Sequence, residues 1–221
     1  MFISFEGIDG SGKTTQARML AEAMRAGGQE VVLTREPGGS DGAEAIRRLL
    51  VEGGAERWSP ETEILLFNAA RRDHLERTIR PALDRGAVVI TDRFADSTRV
   101  YQGVTRGDLS AMVETLHQMM IGIEPARTFV IDIDPAEGLA RSLARQSAMQ
   151  AAQVLTAPGL RPAAAAMPVT AEDRFESMGA GFQAQLRAGF AALAAAAPER
   201  VRLIDGNGPA DEVAARVRAA L

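Results

Sequence analysis

No cysteine occurs anywhere in the sequence, which excludes a disulfide framework and a thiolate metal site. The two histidines, His74 and His117, are too few for a histidine-rich metal site. No apolar run reaches the ~18 residues that a membrane-spanning helix needs. The opening stretch MFISFEGIDG has no basic region and soon turns polar, so no signal peptide is expected. A basic excess is missing too. Lys and Arg total 25 against 29 Asp and Glu, a net charge of −4, so no global field draws the chain to nucleic acid or to a membrane. Local arginine clusters could still hold phosphates. These absences leave a cytoplasmic globular protein as the expectation. What is present agrees: 46% hydrophobic and 24% charged residues suit a packed core, and 221 residues suit one domain with a small insertion.

Apolar runs and turn residues outline the order of elements. Phe2–Glu6 is a short apolar run ending at a glycine-rich turn and reads as a buried strand. Met19, Leu20, Ala23 and Met24 give helical spacing over Lys13–Arg25, stopped by Gly27 and Gly28. Further strands are expected at Glu30–Thr34, Ala87–Thr91, Thr128–Ile133 and Val201–Ile204. Ala87–Thr91 is continuously apolar, hence buried on both faces. Helices are expected at Asp41–Val51, where Ile46, Leu49 and Leu50 share a face, and at Leu109–Ile121, Pro135–Arg145, Glu172–Ala197 and Pro209–Leu221. A long helical pattern covers Pro60–Arg85, and Pro81 should kink or break it. Strands alternating with helices predict an α/β fold around a parallel sheet. There is no internal repeat. Gln146–Ala171, rich in Ala, Pro and Met, reads as an insertion or mobile flap inside a lid region, 141–176, of a single domain spanning 1–221.

Gly7-Ile8-Asp9-Gly10-Ser11-Gly12-Lys13-Thr14 matches the phosphate-binding loop pattern G-x-x-x-x-G-K-[ST], and Thr15 continues it. Glycines let backbone N–H groups point at phosphate oxygens. Lys13 reaches the β- and γ-phosphates, Thr14 can ligate Mg²⁺, and the next helix aims its positive end at the anion. A strand before the loop and a helix after it complete the expected setting. Asp92-Arg93-Phe94 follows a buried strand, at the edge where open α/β sheets bind ligands. Asp92 can hold Mg²⁺ or its waters and Arg93 can clamp phosphate; the bland alternative is a salt bridge capping the next helix. Phe67 and Arg71 are four apart and share a helix face, as a ring to stack on a base and a guanidinium for its edge. From spacing alone the default reading is a core Phe67 and a solvated Arg71. Arg141, Arg145 and Arg174 could bring charge to a migrating phosphoryl group, or could form a solvated basic face.

Five segments together resemble bacterial thymidylate kinases of the P-loop nucleoside monophosphate kinase family. They are F-E-G-I-D-G-S-G-K-T-T at 5–15, T-R-E-P-G-G at 34–39, L-F-N-A-A-R at 66–71, D-R-F-A-D-S-T at 92–98 running into Y-Q-G at 101–103, and D-R-F-E at 173–176. The resemblance covers nearly the whole chain. Gly10 stands where some members carry a loop arginine, so this chain is similar to the type without one. The resemblance implies a three-layer P-loop NTPase fold with a five-stranded parallel sheet and a lid. It implies ATP and dTMP as substrates, Mg²⁺, a homodimer, and dTDP as product. It puts Asp9 at the sugar 3′-OH or metal region and has Arg93 bridge donor and acceptor phosphates. It stacks Phe67 on thymine with Arg71 at the base edge, sets Thr98 and Gln102 near the base, and packs Tyr101 under the deoxyribose. Arg35 and Pro37, after a cis bond, would line the monophosphate pocket. Arg141 would lie near the adenine and Arg145 would supply catalytic charge. Two departures stand out: Asn68, where a small or aromatic residue is common, and a longer, alanine-rich flap that bears on Arg141, Arg145, Arg161 and Arg174.

Other readings compete. A P-loop kinase for another nucleoside or nucleotide shares the phosphate loop. A regulatory GTPase needs a guanine-reading N-K-x-D segment, and none is present. A P-loop ATPase that drives assembly would release phosphate without any acceptor.

Overall fold

The computed structural model describes residues 1–52, 57–104, 107–156 and 179–221. Five strands form one sheet in the order β2-β3-β1-β4-β5, and every neighbouring pair is parallel. The strands are β1 (Phe2–Glu6), β2 (Val31–Arg35), β3 (Val88–Asp92), β4 (Arg127–Asp132) and β5 (Val201–Asp205). β1 is buried along its whole length, as its continuous apolar run requires of a central strand covered on both faces. The edge strands β2 and β5 are more open: only Val31 of β2, and Val201 and Ile204 of β5, are buried.

Side chains alternate across the sheet, so one strand feeds two cores. Ile3 and Phe5 of β1 pack with Leu20 of α1 (Lys13–Ala26) and with Val213 and Val217. Phe2 points the other way, onto Leu75, Ile79 and Phe94. The remaining core on that second face joins Val130 and Val201 to Tyr101, Phe182, Leu186 and Phe190. Helices therefore cover both faces, the three-layer arrangement that the resemblance implies.

The expected helix over Asp41–Val51 is α2, although Leu49 is exposed rather than part of its inner face. The pattern Pro60–Arg85 becomes α3 (Pro60–His74), a π-helical turn Leu75–Ile79 and α4 (Arg80–Asp84). Pro81 does not break the rod. The wider turn just before it changes the hydrogen-bond register, with Arg80 N–H reaching Leu75 O, so the missing proline donor falls at the start of a new helix. After β3 the chain forms α5 (Ala95–Thr98) and a second π-helical turn, Arg99–Val104, neither of which the apolar pattern announced. Then follow α6 (Ser110–Met120), α7 (Pro135–Thr156), α8 (Gly179–Ala196) and α9 (Ala210–Ala219). Helix α7 continues past Arg145 to Thr156, into the segment expected to be a flap. The rest of that segment, and the first residues of the helix expected from Glu172, lie outside the described residues.

Register sets the site. Phe5 pairs with Asp92, so the carboxyl ends of β1 and β3 lie side by side. The loop after β1 and the turn after β3 must therefore meet.

Candidate active site

The loop after β1 runs from Gly7 into α1, whose first residue is Lys13. No side chain caps the start of α1, which leaves its first N–H groups for an anion. The Lys13 ammonium is buried, donates to Ile8 O at 3.2 Å and sits 3.5 Å from Asp9 Oδ1. Ser11 Oγ is buried with no hydrogen-bond partner among the described residues. Gly10 has φ of +74°, and a side chain there would collide with the carbonyl oxygen of Gly138 in the first turns of α7. Helix α7 thus sits directly on the loop after β1.

Asp92 ends β3. Its Oδ2 accepts a hydrogen bond from Thr14 Oγ1, while Oδ1 is buried and without a partner among the described residues. Arg93 follows with φ of +71°, the left-handed region that costs a residue with a side chain ~1–3 kcal/mol and persists only where surrounding contacts hold it. It is held at both ends. Its N–H donates to Phe5 O at 2.9 Å. Its guanidinium meets Asp9 Oδ1 at 2.5 Å, Ser97 Oγ at 3.0 Å and the Tyr101 hydroxyl at 3.2 Å. Behind this turn, buried Asp96 accepts from Arg99 at 2.8 Å and from both terminal nitrogens of Arg200.

A cleft of about 430 Å³ opens beside the turn, lined by Asp9, Pro37, Phe67, Arg71, Arg93, Thr98, Tyr101 and Gln102 among others. The Glu36–Pro37 peptide is cis, as the resemblance implies. Arg71 is not solvated. It is buried, its Nε donates to Glu36 Oε2 at 2.7 Å, and its Nη2 donates to Phe94 O and Thr98 Oγ1. Glu36 Oε1 in turn lies 3.0 Å from His74 Nδ1. Tyr101 is fixed edge-on against Phe182 and Phe190 of α8. Gln102 is buried and donates toward Glu63 at 3.5 Å.

A second cavity, about 830 Å³, lies over the loop. Its walls are Gly10 to Gln16, Arg141, Gly206, Gly208, Ala210 and Val213. The two spaces meet on the phosphate loop, Asp9 in one and Gly10 in the other.

Most of the expected residues are brought together, but not all. Gly7 to Thr15, Asp92, Arg93, Pro37, Phe67, Arg71, Thr98, Tyr101 and Gln102 cluster as described. Arg141 lines the second cavity and pairs with Glu137. Arg35 lines neither space and pairs at 2.9 Å with Glu44. The Arg145 side chain, Arg161 and Arg174 lie outside the described residues. Sequence reasoning missed Glu36 and Ser97, which line the cleft, and Glu6 and His74 behind them. The carboxylates within F-E-G and R-E-P were the available signal. It also missed Gly206 and Gly208, a glycine pair just past β5 that the strand-end rule could have flagged.

The sequence profile of the thymidylate kinase family matches residues 5–156. A thymidylate kinase of Dinoroseobacter shibae is 61% identical over 219 residues, covering 99% of this chain and 95% of its own length. One from Ruegeria pomeroyi is 56% identical over 217 residues, covering 98% and 92%. Among solved structures, thymidylate kinase from Ehrlichia chaffeensis matches with a TM-score of 0.72 at 33% identity, covering 100% of this chain and 97% of that one.

Proposed function

The chain belongs to the thymidylate kinase family, and from that premise we propose how its residues transfer the γ-phosphoryl group of ATP to dTMP. The observation that carries the assignment is the meeting of two spaces on one phosphate loop, one glycine-walled and one lined by the Phe67 ring, buried Arg71 and half-buried Arg93.

ATP occupies the cavity over Gly7–Thr15, its phosphates on the loop N–H groups and Lys13, its base toward Arg141 and the Gly206–Gly208 turn. dTMP occupies the cleft. Phe67 stacks on thymine. Arg71, whose Nε and Nη2 are already engaged, offers Nη1 to the base edge. Thr98 and Gln102 complete the base wall, and Tyr101 packs under the deoxyribose. Asp9 orients Arg93 and reaches the sugar, and Arg93 bridges the two phosphates. Arg35, half-exposed at the end of β2, swings from Glu44 to the acceptor phosphate, beside Pro37. Phosphoryl transfer is mostly positioning and charge stabilisation, which these groups supply.

Mg²⁺ fits Thr14 and Asp92, because the pair offers oxygen donors and Asp92 Oδ1 is buried without a protein partner. Bound there, it would neutralise charge on the β- and γ-phosphates. A further cation has to come from outside the loop, since Gly138 leaves no room for an arginine at Gly10. Arg141 and Arg145, one helical turn apart on α7, supply it from the lid region 141–176. The protein works in the cytoplasm as a homodimer. Exposed Leu65 on α3 and Met112 on α6 line one apolar groove suited to a second copy. No helix among the described residues is long and apolar enough to cross a membrane.

Transfer of labelled γ-phosphate from ATP to dTMP tests these roles. Lys13→Ala should lower kcat by ~10²–10³-fold in a folded protein, and Arg93→Ala should do likewise. Arg145→Ala should lower kcat more than it raises KM for dTMP. Near-normal turnover by folded Lys13→Ala would defeat the assignment.

A further inference from the structure

Strand β1 ends in a carboxylate to which the chemistry above gives no task. Glu6 is fully buried. It shares a face of β1 with Phe2 and Ser4, the face that looks toward the turn after β3. That turn occupies both of its oxygens. Phe94 N–H donates to Oε1 at 2.8 Å, and Ser97 Oγ lies 2.5 Å from Oε2. From its other side, Ser97 Oγ accepts Arg93 Nη1 at 3.0 Å. One line of contacts therefore runs from Glu6 through Ser97 to the guanidinium. The same carboxyl also grips the N–H of the residue directly after Arg93, whose backbone is in the left-handed region. Such a backbone persists only where its surroundings over-determine it.

We propose that Glu6 is a positioning residue for Arg93, fixing its strained backbone directly and its guanidinium through Ser97. The proposal rests on the role given to Arg93 above.

The groups around Glu6 favour its neutral form. Burial first, and the nearby Asp96 second, push its carboxyl up to about 8, against the opposing pull of Ser97, Arg93 and Phe94 N–H. Below that pH the acid O–H donates to Ser97 Oγ, and above it the serine O–H donates to the carboxylate. In both states Ser97 Oγ still accepts from Arg93. A glutamine reproduces the neutral pattern, with its oxygen on Phe94 N–H and its amide N–H on Ser97. A leucine keeps the burial and reproduces neither contact.

The test is steady-state kinetics on three variants, with folding checked by circular dichroism. Glu6→Leu should lower kcat by up to ~10²-fold, the scale of a displacement of about 1 Å at a reacting centre, with a smaller change in KM for ATP. Glu6→Gln should recover most of that loss. Ser97→Ala cuts the line without touching the sheet and should lower kcat in the same direction, so it decides the matter even if Glu6→Leu fails to fold. Wild-type kcat in Ser97→Ala and in folded Glu6→Leu, alongside a crippled Arg93→Ala, would overturn the positioning role alone. Wild-type kcat in Arg93→Ala would remove the reading beneath it and the proposal with it.

Discussion

Replacing Arg71 by alanine should cost stability as well as substrate recognition. The guanidinium and the Glu36 carboxylate it contacts are 3% and 4% exposed, 2.7 Å apart. Removing the arginine leaves a buried carboxylate whose remaining partner is His74, and strips donors from Phe94 O and Thr98 Oγ1. Breaking a buried pair from one side costs ~3–5 kcal/mol. In a chain of this length each kcal/mol moves Tm by ~2–4 °C, so a fall of roughly 6–20 °C is expected. The neighbouring Arg72 is the control. It pairs with Glu76 in the following π-helical turn and donates to Met120 O at 2.6 Å, but both side chains of the pair are more than 40% exposed. An exposed pair of that kind is worth ~0–1 kcal/mol. Urea unfolding of Arg71→Ala and Arg72→Ala therefore separates a buried guanidinium from a surface one. KM for dTMP should rise in the first variant and stay near wild type in the second. Equal, small losses of stability in both would refute the buried pair.

Three further outcomes are expected. Tyr101→Ala should narrow the kcat/KM preference for dTMP over its ribose analogue, because the ring sits between the cleft and the α8 phenylalanines; an unchanged ratio would make Tyr101 core only. Gly138→Ala should destabilise by ~1–3 kcal/mol and raise KM for ATP, since its Cβ would fall 2.7 Å from Asp9 O; wild-type stability and kinetics would show that α7 does not bear on the loop. Glu6→Gln should flatten part of the pH dependence of unfolding. The folded chain keeps a proton on Glu6 that the unfolded chain releases, so stability falls as pH rises from 4.5 to about 8. At ~1.4 kcal/mol per unit the loss reaches about 5 kcal/mol, and parallel profiles for variant and wild type would mean that Glu6 is ionised when folded.

Much of this molecule was legible before any coordinates. The strands carry continuous apolar runs, so β1, β3 and β4 were placed within a residue at each end. The phosphate loop and the Asp92-Arg93 turn follow from rules about strand ends. What escaped was polar burial. Residues 95–104 fold into α5 and a π-helical turn whose inward positions include Asp96, Thr98 and Gln102, so no apolar period marks them. Spacing alone makes Arg71 a solvated residue by default, because nothing in helix spacing reveals that Glu36 arrives from the turn after β2 to neutralise it. The sheet order, with β1 at the centre, depends on long-range pairing that local pattern does not encode. Gly10 read as the lack of an arginine; only the packing of α7 on the loop supplied the steric reason.

The most direct test is ADP formation from ATP and Mg²⁺ across a panel of nucleoside monophosphates, with a control lacking any acceptor. Strong dependence on dTMP is expected, with weaker turnover with its ribose analogue and with purine monophosphates, and almost no ADP without an acceptor. Equal turnover with a purine monophosphate, or phosphate release that needs no acceptor, would contradict the assignment to dTMP.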